Sequence, residues 1–394
     1  MDRNMKKWHS YKLSDVVRFN PSERLLKGEI AKKVPMDLLQ PYTRGISGFE
    51  MASYTGGSKF RNGDTLMARI TPCLENGKTA YVSMLDEDEV GFGSTEYIVF
   101  RNIEGITDNK FVYYFVTSPW FRDIAVKSMV GSSGRQRVQQ AMLENLVVNL
   151  PPLAEQKQIA GILGAWDDKI ELNRCVNDNL EEQAKALFNH YFIQNTENLG
   201  EWQDGVLTDI AQYLNGLAMQ KYPAMPNEAG LPVLKIKELG QGQCDTNSDR
   251  CSSLIKPEYI ISDGTIIFSW SGTLLVDIWC GGKCGLNQHL FKVSSAKYPQ
   301  WFVFYWTKHH LNKFIRIAKD KAVTMGHIKR CDLEISKVKI PSKQALVNLD
   351  KLFSPIFNRM VTCRIENRKL SSLRDTLLPK LMSGEISVEE VSLD

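Results

Sequence analysis

The stretch AEQKQIAGILGAWDDKIELNRCVNDNLEEQAKALFNHY, residues 154–191, decides the fold. Apolar or amide side chains recur in alternating steps of four and three through Ile159, Leu163, Trp166, Ile170, Asn173, Asn177, Leu180, Ala184, Leu187 and Tyr191. This is the heptad spacing of a helix that buries one seam against another helix. Adding 190 to each number gives Leu349, Phe353, Ile356, Met360, Cys363, Asn367, Leu370, Arg374, Leu377 and Leu381. The period holds, Asn177 falls on Asn367, and Arg374 is the one misfit. Two helices of matching phase in one chain are expected to pair. At about 1.5 Å per residue the first spans roughly 57 Å, more than a core helix needs, so each can act as a spacer. An asparagine in such a seam weakens packing and fixes register, because its amide must find a partner across the interface.

Working outward, the same offset aligns the aromatic runs FVYYFVTSP at Phe111 and WFVFYWTKH at Trp301, and places Val148-Asn149-Leu150-Pro151 on Val338-Lys339-Ile340-Pro341. Upstream, LSDVVRFNPS (13–22) resembles LTDIAQYLNG (207–216). FRNGDTLMARI (60–70) parallels YIISDGTIIFSW (259–270), with Thr65 and Thr265 in matching places. The chain is therefore one module written twice, each copy a globular part followed by a helical part. The globular parts read as α+β. β-rich stretches at 79–82, 96–100, 259–270 and 289–293 are broken by Asn62-Gly63, Asn76-Gly77, Asp263-Gly264 and Gly281-Gly282, and the aromatic runs with their basic continuations read as helices.

The length of 394 residues, with 43% hydrophobic and 24% charged residues, fits a globular protein of two or three domains and excludes disordered, collagenous and disulfide-scaffold classes. The sequence shows no run of about 18 apolar residues and no secretory leader, so a cytoplasmic location is expected. Eight scattered cysteines read as reduced thiols.

A net charge of +4 does not by itself name a partner, but charge is unevenly placed. Lys308, Lys313, Arg316, Lys319, Lys321, Lys329 and Arg330 face only Asp320 between residues 305 and 330, with His309, His310 and His327 among them. Residues 120–140 hold a weaker echo, including Arg135 and Arg137 in the loop GSSGRQRV (131–138), whose counterpart contains Met325-Gly326-His327. Glycines allow close backbone approach to phosphate, and arginines grip phosphates or guanine edges. Such a loop is more often a solvated turn; its recurrence beside each basic patch leaves a DNA-facing loop and a solvated turn as equal alternatives. Lys59, Arg61, Arg69 and Lys78 surround the Asn-Gly turns as DNA contacts or ordinary surface charges.

Catalytic motifs are missing. There is no GxxxxGK[ST] loop and no glycine-rich cofactor fingerprint, and Asn149-Leu150-Pro151-Pro152 lacks the aromatic of an adenine methyltransferase site. The triplets Glu155-Gln156-Lys157 and Asp167-Asp168-Lys169 lie on the heptad helix as solvated charge. Cys244, Cys251, Cys280 and Cys284 have poor zinc spacing, and no metal site is expected.

The strings FRNGDTLMARITPCLENGKTAYV, FGSTEYIVF, LPPLAEQKQIAGIL, DDKIELNR and LLPKLMSGEI resemble the specificity subunit of type I restriction-modification systems, over essentially the whole chain. The resemblance implies a first target recognition domain at 1–150, a central conserved helical region at 151–195, a second recognition domain at 196–340 and a C-terminal conserved helical region at 341–394. The two helices would pair antiparallel as a coiled coil separating the recognition domains, with a pseudo-twofold repeat. It further implies a non-catalytic subunit that reads a bipartite site in double-stranded DNA, one half-site per recognition domain, and recruits two adenine methyltransferase (modification) subunits and motor-nuclease (restriction) subunits. S-adenosylmethionine, ATP and Mg are then expected on those partners and none on this chain, with no membrane partner. Pro341-Ser342-Lys343-Gln344 departs from the fuller Pro151-Pro152-Leu153-Ala154-Glu155-Gln156. A coiled-coil adaptor without sequence-specific DNA reading, and a metal-dependent nuclease acting alone, are the competing classes.

Overall fold

The computed structural model describes residues 8–132, 134–194, 202–320 and 326–391. The chain divides into two units, residues 1–171 with 370–394 and residues 172–369.

Each unit is built on the same strand plan. The first carries an antiparallel sheet in the order Val17–Phe19, Tyr97–Asn102, Thr65–Ala68, Thr79–Tyr81. A second sheet runs Glu50–Ser53, Ile30–Val34, Gly91–Gly93, Lys59–Phe60, with its middle pair parallel. The second unit repeats both orders with Gln212–Asn215, Leu290–Ser294, Thr265–Ser269, Leu275–Trp279 and with Arg250–Cys251, Leu231–Leu234, Cys284–Leu286, Ile260–Ile261, again with a parallel middle pair. A two-stranded ribbon closes each unit, His9–Lys12 with Val147–Leu150 and Gln203–Val206 with Lys337–Ile340.

Strand register corrects one sequence alignment. Thr65 pairs with Phe100, and in the matching ladder Ile266 pairs with Val293. Thr65 therefore corresponds to Ile266, and Thr265 to Asp64. Gly63 and Gly264, with φ of 90° and 83°, anchor that register. Both turns need the left-handed region that glycine enters without a Cβ clash, whereas the two threonines merely sit beside it.

The aromatic runs are helical in both units but differ in continuity. Asn109–Thr117 and Pro119–Lys127 are two helices, whereas Gln300–Asp320 is one. Proline removes an N–H and is tolerated only in a first turn. Ser118 accepts from the Phe121 N–H at 3.3 Å and restarts the helix at Pro119. Lys308 and His309 occupy the equivalent positions and impose no break.

The long helices are Leu153–Phe188 and Lys343–Ser383, so both begin at repeat-equivalent residues despite the sequence departure there. In the first unit Ile159, Leu163 and Trp166 share a core with Leu378 and Leu381, and Leu370 and Leu377 pack against it. In the second unit Ala184 and Phe188 share a core with Leu349, Phe353 and Phe357, flanked by Leu187 and Ile356. Within each unit, numbering rises along one helix as it falls along the other, so the helices are antiparallel. Ile170, Met360 and Cys363 are buried, and Leu180 and Tyr191 half-buried.

Polar seam residues show what the heptad pattern omits. The Asn173 amide donates to Asn367 at 2.9 Å and to Glu366 at 2.8 Å. Asn177, expected to find a partner across the seam, leaves its buried amide oxygen without one. The repeat operation maps the Asn173–Asn367 pair onto Cys363–Asn177, and a thiol is a weak donor. The misfit Arg374 donates from Nη1 to Asp167 at 2.6 Å, and Asp167 accepts from the Tyr114 hydroxyl at 2.7 Å. Burial disfavours the Arg374 charge, yet Asp167 holds the guanidinium above its ordinary value.

Candidate nucleic-acid interface

In each unit three segments meet where the central strand of the first sheet ends. In the first unit the Arg69 N–H donates to the Glu96 carbonyl at 2.9 Å. The Val138 N–H donates to the Arg69 carbonyl at 2.9 Å, and the Thr71 N–H to the Gln136 carbonyl at 3.0 Å. In the second unit the Trp270 N–H donates to the His289 carbonyl at 3.4 Å, the Ile328 N–H to the Trp270 carbonyl at 3.1 Å and the Gly272 N–H to the Gly326 carbonyl at 3.0 Å. A lone β-bridge joins Ile70 to Arg137 in one and Ser271 to His327 in the other. The main chain is thus the same at Arg69, Glu96 and Arg137 as at Trp270, His289 and His327.

The side chains on this common scaffold differ completely. Arg137, with 44% of its side chain exposed, donates from Nε and Nη2 to both Glu96 oxygens at 2.6–3.0 Å. Charge-assisted bidentate pairing fixes the plane of the guanidinium. Its Nη1 has no protein partner among the described residues. Arg69 donates from Nη2 to the Val138 carbonyl at 3.3 Å, while its buried Nε is unpaired. In the second unit Trp270 stacks on Phe291 at 5.6 Å and lies 6.1 and 6.4 Å from the His289 and His327 rings. Its indole N–H donates to Asn215 at 3.0 Å. The Gln288 amide approaches His289 Nε2 at 3.3 Å; with the amide donating there, Nδ1 carries the hydrogen and donates to Ser271 Oγ at 3.0 Å.

A cleft opens beside each junction, at the ends of the same parallel strand pair. The first, about 300 Å³, is lined by Lys33, Ser53, Thr55 and Ser94 among others. The second, about 670 Å³, is lined by Gln220, Lys235, Lys237, Arg250, Asn287 and Gln288 among others. The first exposes hydroxyls and a lysine and the second amides and cations, groups that meet phosphates and base edges.

The residues singled out from sequence separate into three groups. Lys59, Arg61 and Lys78 are tied into the fold. The Lys59 amine donates to the Glu23 and Leu25 carbonyls at 2.9 and 3.1 Å, and the Lys78 amine to the Met36 carbonyl at 2.8 Å. Arg61 pairs with Glu23, which also binds Arg101, itself paired with the buried Asp64. Lys308 is likewise paired, with Glu181. Arg69, Arg137 and His327 meet at the junctions, with Arg135 exposed nearby. Lys313, Arg316 and Lys319 form an exposed basic stripe along Gln300–Asp320. Their repeat counterparts are Asp123, Val126 and Met129, so the stripe belongs to one unit alone. Lys329 is exposed at a helix start, and Lys321 lies outside the described residues.

Sequence reading misses Glu96, Trp270, His289 and Gln288. Trp270 ends the apolar β-rich run 259–270, and aligning Thr65 with Thr265 hides its equivalence to Arg69. Pairing the turn glycines Gly63 and Gly264 supplies the signal. Cys251, Cys280 and Cys284 are buried, and burial pushes the Cys280 thiol up to about 11. Among the described residues no three His, Cys, Asp or Glu side chains group as metal ligands, and no helix is long and apolar enough to cross a membrane.

Residues 5–182 match the type I restriction modification DNA specificity domain. The chain is 27% identical to the MjaIX specificity subunit of Methanocaldococcus jannaschii, over 74% of this chain and 73% of that one. It is 30% identical to the EcoEI specificity subunit of Escherichia coli, over 63% of this chain and 43% of that one. Among solved structures, a type I restriction-modification S subunit from M. genitalium aligns over 97% of this chain and 98% of its own with a TM-score of 0.55. At 16% identity this is a likeness of fold.

Proposed function

We propose, from its likeness to the specificity subunits of type I restriction-modification systems, that this chain is the non-catalytic DNA-recognition subunit of such a complex. Each unit contributes one target recognition domain, residues 1–150 and 196–340, and each domain reads one half of a split site. The carrying observation is the duplicated fold whose three-segment junction keeps its main chain and changes every side chain. A module copied for packing alone has no reason to diversify at one exposed, polar position. A structural adaptor requires no such diversification.

In this proposal, exposed cations bind phosphates and give salt-dependent affinity, while polar groups at the junctions read base edges. The helical regions 151–195 and 341–394 pair and set the gap between half-sites. Modification subunits carry S-adenosylmethionine and methylate adenine, and restriction subunits carry ATP and Mg, in the cytoplasm. Sequencing methylated adenines in a host with and without this chain tests the proposal. A split motif that vanishes on deletion is expected; an unchanged methylation pattern refutes it. Inserting four residues, about one turn, after Asn177 should change the preferred gap, and an unchanged gap removes the helices from that role.

A further inference from the structure

We propose that the junction at the end of each central strand selects base pairs, and that Arg137, held by Glu96, reads a guanine in the half-site of the first unit. This deepens the DNA-recognition proposal and rests on it. Three observations converge.

The first is geometric. Glu96 occupies the Nε edge of the guanidinium and one face of Nη2, leaving the Nη1–Nη2 end free to donate. Guanine presents two acceptors, O6 and N7, side by side in the major groove, and an arginine fork donates to both. A guanidinium locked in plane by a carboxylate loses little side-chain freedom on binding.

The second is energetic. An exposed ion pair is worth about 0–1 kcal/mol to stability, so the Glu96–Arg137 pair is not needed to hold the loop. Main-chain bonds already do that in both units. The carboxylate instead orients a cation that remains substantially exposed.

The third is comparative. The second unit places His289 and His327 around Trp270 on the same main-chain frame. His289 has both ring nitrogens engaged, by Gln288 and Ser271, and a neutral imidazole is not the double donor that an arginine is. The two units therefore select different base pairs with one architecture.

The test uses the full chain assembled with its methyltransferase partners and duplex pools randomised in one half-site at a time. Arg137→Lys and Arg137→Ala should lower the preference for guanine at one position of one half-site by about 5- to 150-fold, with selection in the other half-site unchanged. That second half-site reports whether the variant is folded. Glu96→Gln should weaken the same preference with Arg137 intact, which marks Glu96 as a positioning residue. The pair His289→Ala and His327→Ala should alter only the other half-site. The proposal is overturned if Arg137→Ala weakens all sequences equally, as a phosphate contact does, or disturbs both half-sites, or changes nothing. A native complex that selects no split motif refutes the DNA-recognition proposal itself.

Discussion

Substituting Arg374 by Ala tests how the first unit holds its helix pair. Asp167 and Arg374 have only 3% and 11% of their side chains exposed, and Tyr114 completes the group through its hydroxyl. Removing one partner strands a charge in a buried site, which costs about 3–5 kcal/mol. The second unit supplies its own control. Adding 190 to Tyr114 and Asp167 gives Phe304 and Phe357, and subtracting 190 from Arg374 gives Ala184. Those residues are all buried, and the two rings meet edge to face at 5.8 Å. Replacing a buried ion pair by well-packed apolar groups is often neutral or stabilising, and the ring gained at 167 fills volume vacated at 374. The triple change Tyr114→Phe, Asp167→Phe, Arg374→Ala should therefore recover most of the stability that Arg374→Ala loses. A chain of two units need not unfold in one step, so the assay is native-state hydrogen exchange on peptides from Asn109–Thr117 and from residues 153–170. Arg374→Ala should lower protection there by roughly two to three and a half decades. A loss under tenfold, or a triple variant less protected than the single, refutes the reasoning.

Asn177→Leu should stabilise the second unit by about 1 kcal/mol by removing an unpaired buried oxygen, whereas Asn367→Leu should cost about 1–2 kcal/mol by depriving Asn173 of a partner; exchange rates within 172–185 report both. Burial holds the His310 imidazole down to about 4, although its bond to the Lys337 carbonyl opposes that. The unfolded chain therefore binds more protons between that value and about 6.5, so stability is full above 6.5 and falls as pH drops through this window. His310→Phe should flatten that fall, an effect on the order of 1 kcal/mol after screening at a partly exposed ring, read from denaturant midpoints at pH 7 and 4.5. The triple change Lys313→Ala, Arg316→Ala, Lys319→Ala should weaken DNA binding evenly across sequences and reduce the salt slope by about 0.9 for each phosphate that is no longer neutralised. An unchanged slope takes the stripe out of the footprint.

Much of this fold is legible because two periodicities dominate it. The four-three step from Ile159 to Tyr191 marks a seam whose members are buried or half-buried, since helix geometry puts every such residue on one face. The constant offset of 190 holds from the aromatic helices through the strands Val147–Leu150 and Lys337–Ile340 to the long helices. It fails across the sheets, where Gly63 matches Gly264 and Glu96 matches His289, because loops between strands absorb length changes freely. Matching Thr65 to Thr265 weighs residue identity above turn geometry, and turn geometry is what the register obeys. Likewise, a charge count cannot separate Lys59 and Lys78, whose amines satisfy main-chain carbonyls, from the exposed Lys313. Hydrogen-bond partners are set by tertiary structure, which period and composition do not encode. Asp167 shows the same limit in reverse: within an acid-x-Lys triplet it reads as solvated charge, yet it is buried against Arg374.

The two junctions also explain how a duplicated module can diverge without losing its fold. Main-chain bonds hold the segments that carry Arg137 and His327 to their strand neighbours, so side-chain identity is less constrained by the fold there. Buried polar groups elsewhere are not free in this way. The Tyr114–Asp167–Arg374 set and its apolar equivalent Phe304–Phe357–Ala184 must change together, because any single exchange strands a charge or opens a void. Positions held by main chain can vary one residue at a time, and positions held by side chains only in concert. Recognition sited on the first kind can acquire new targets by single substitutions, and recognition sited on the second kind cannot.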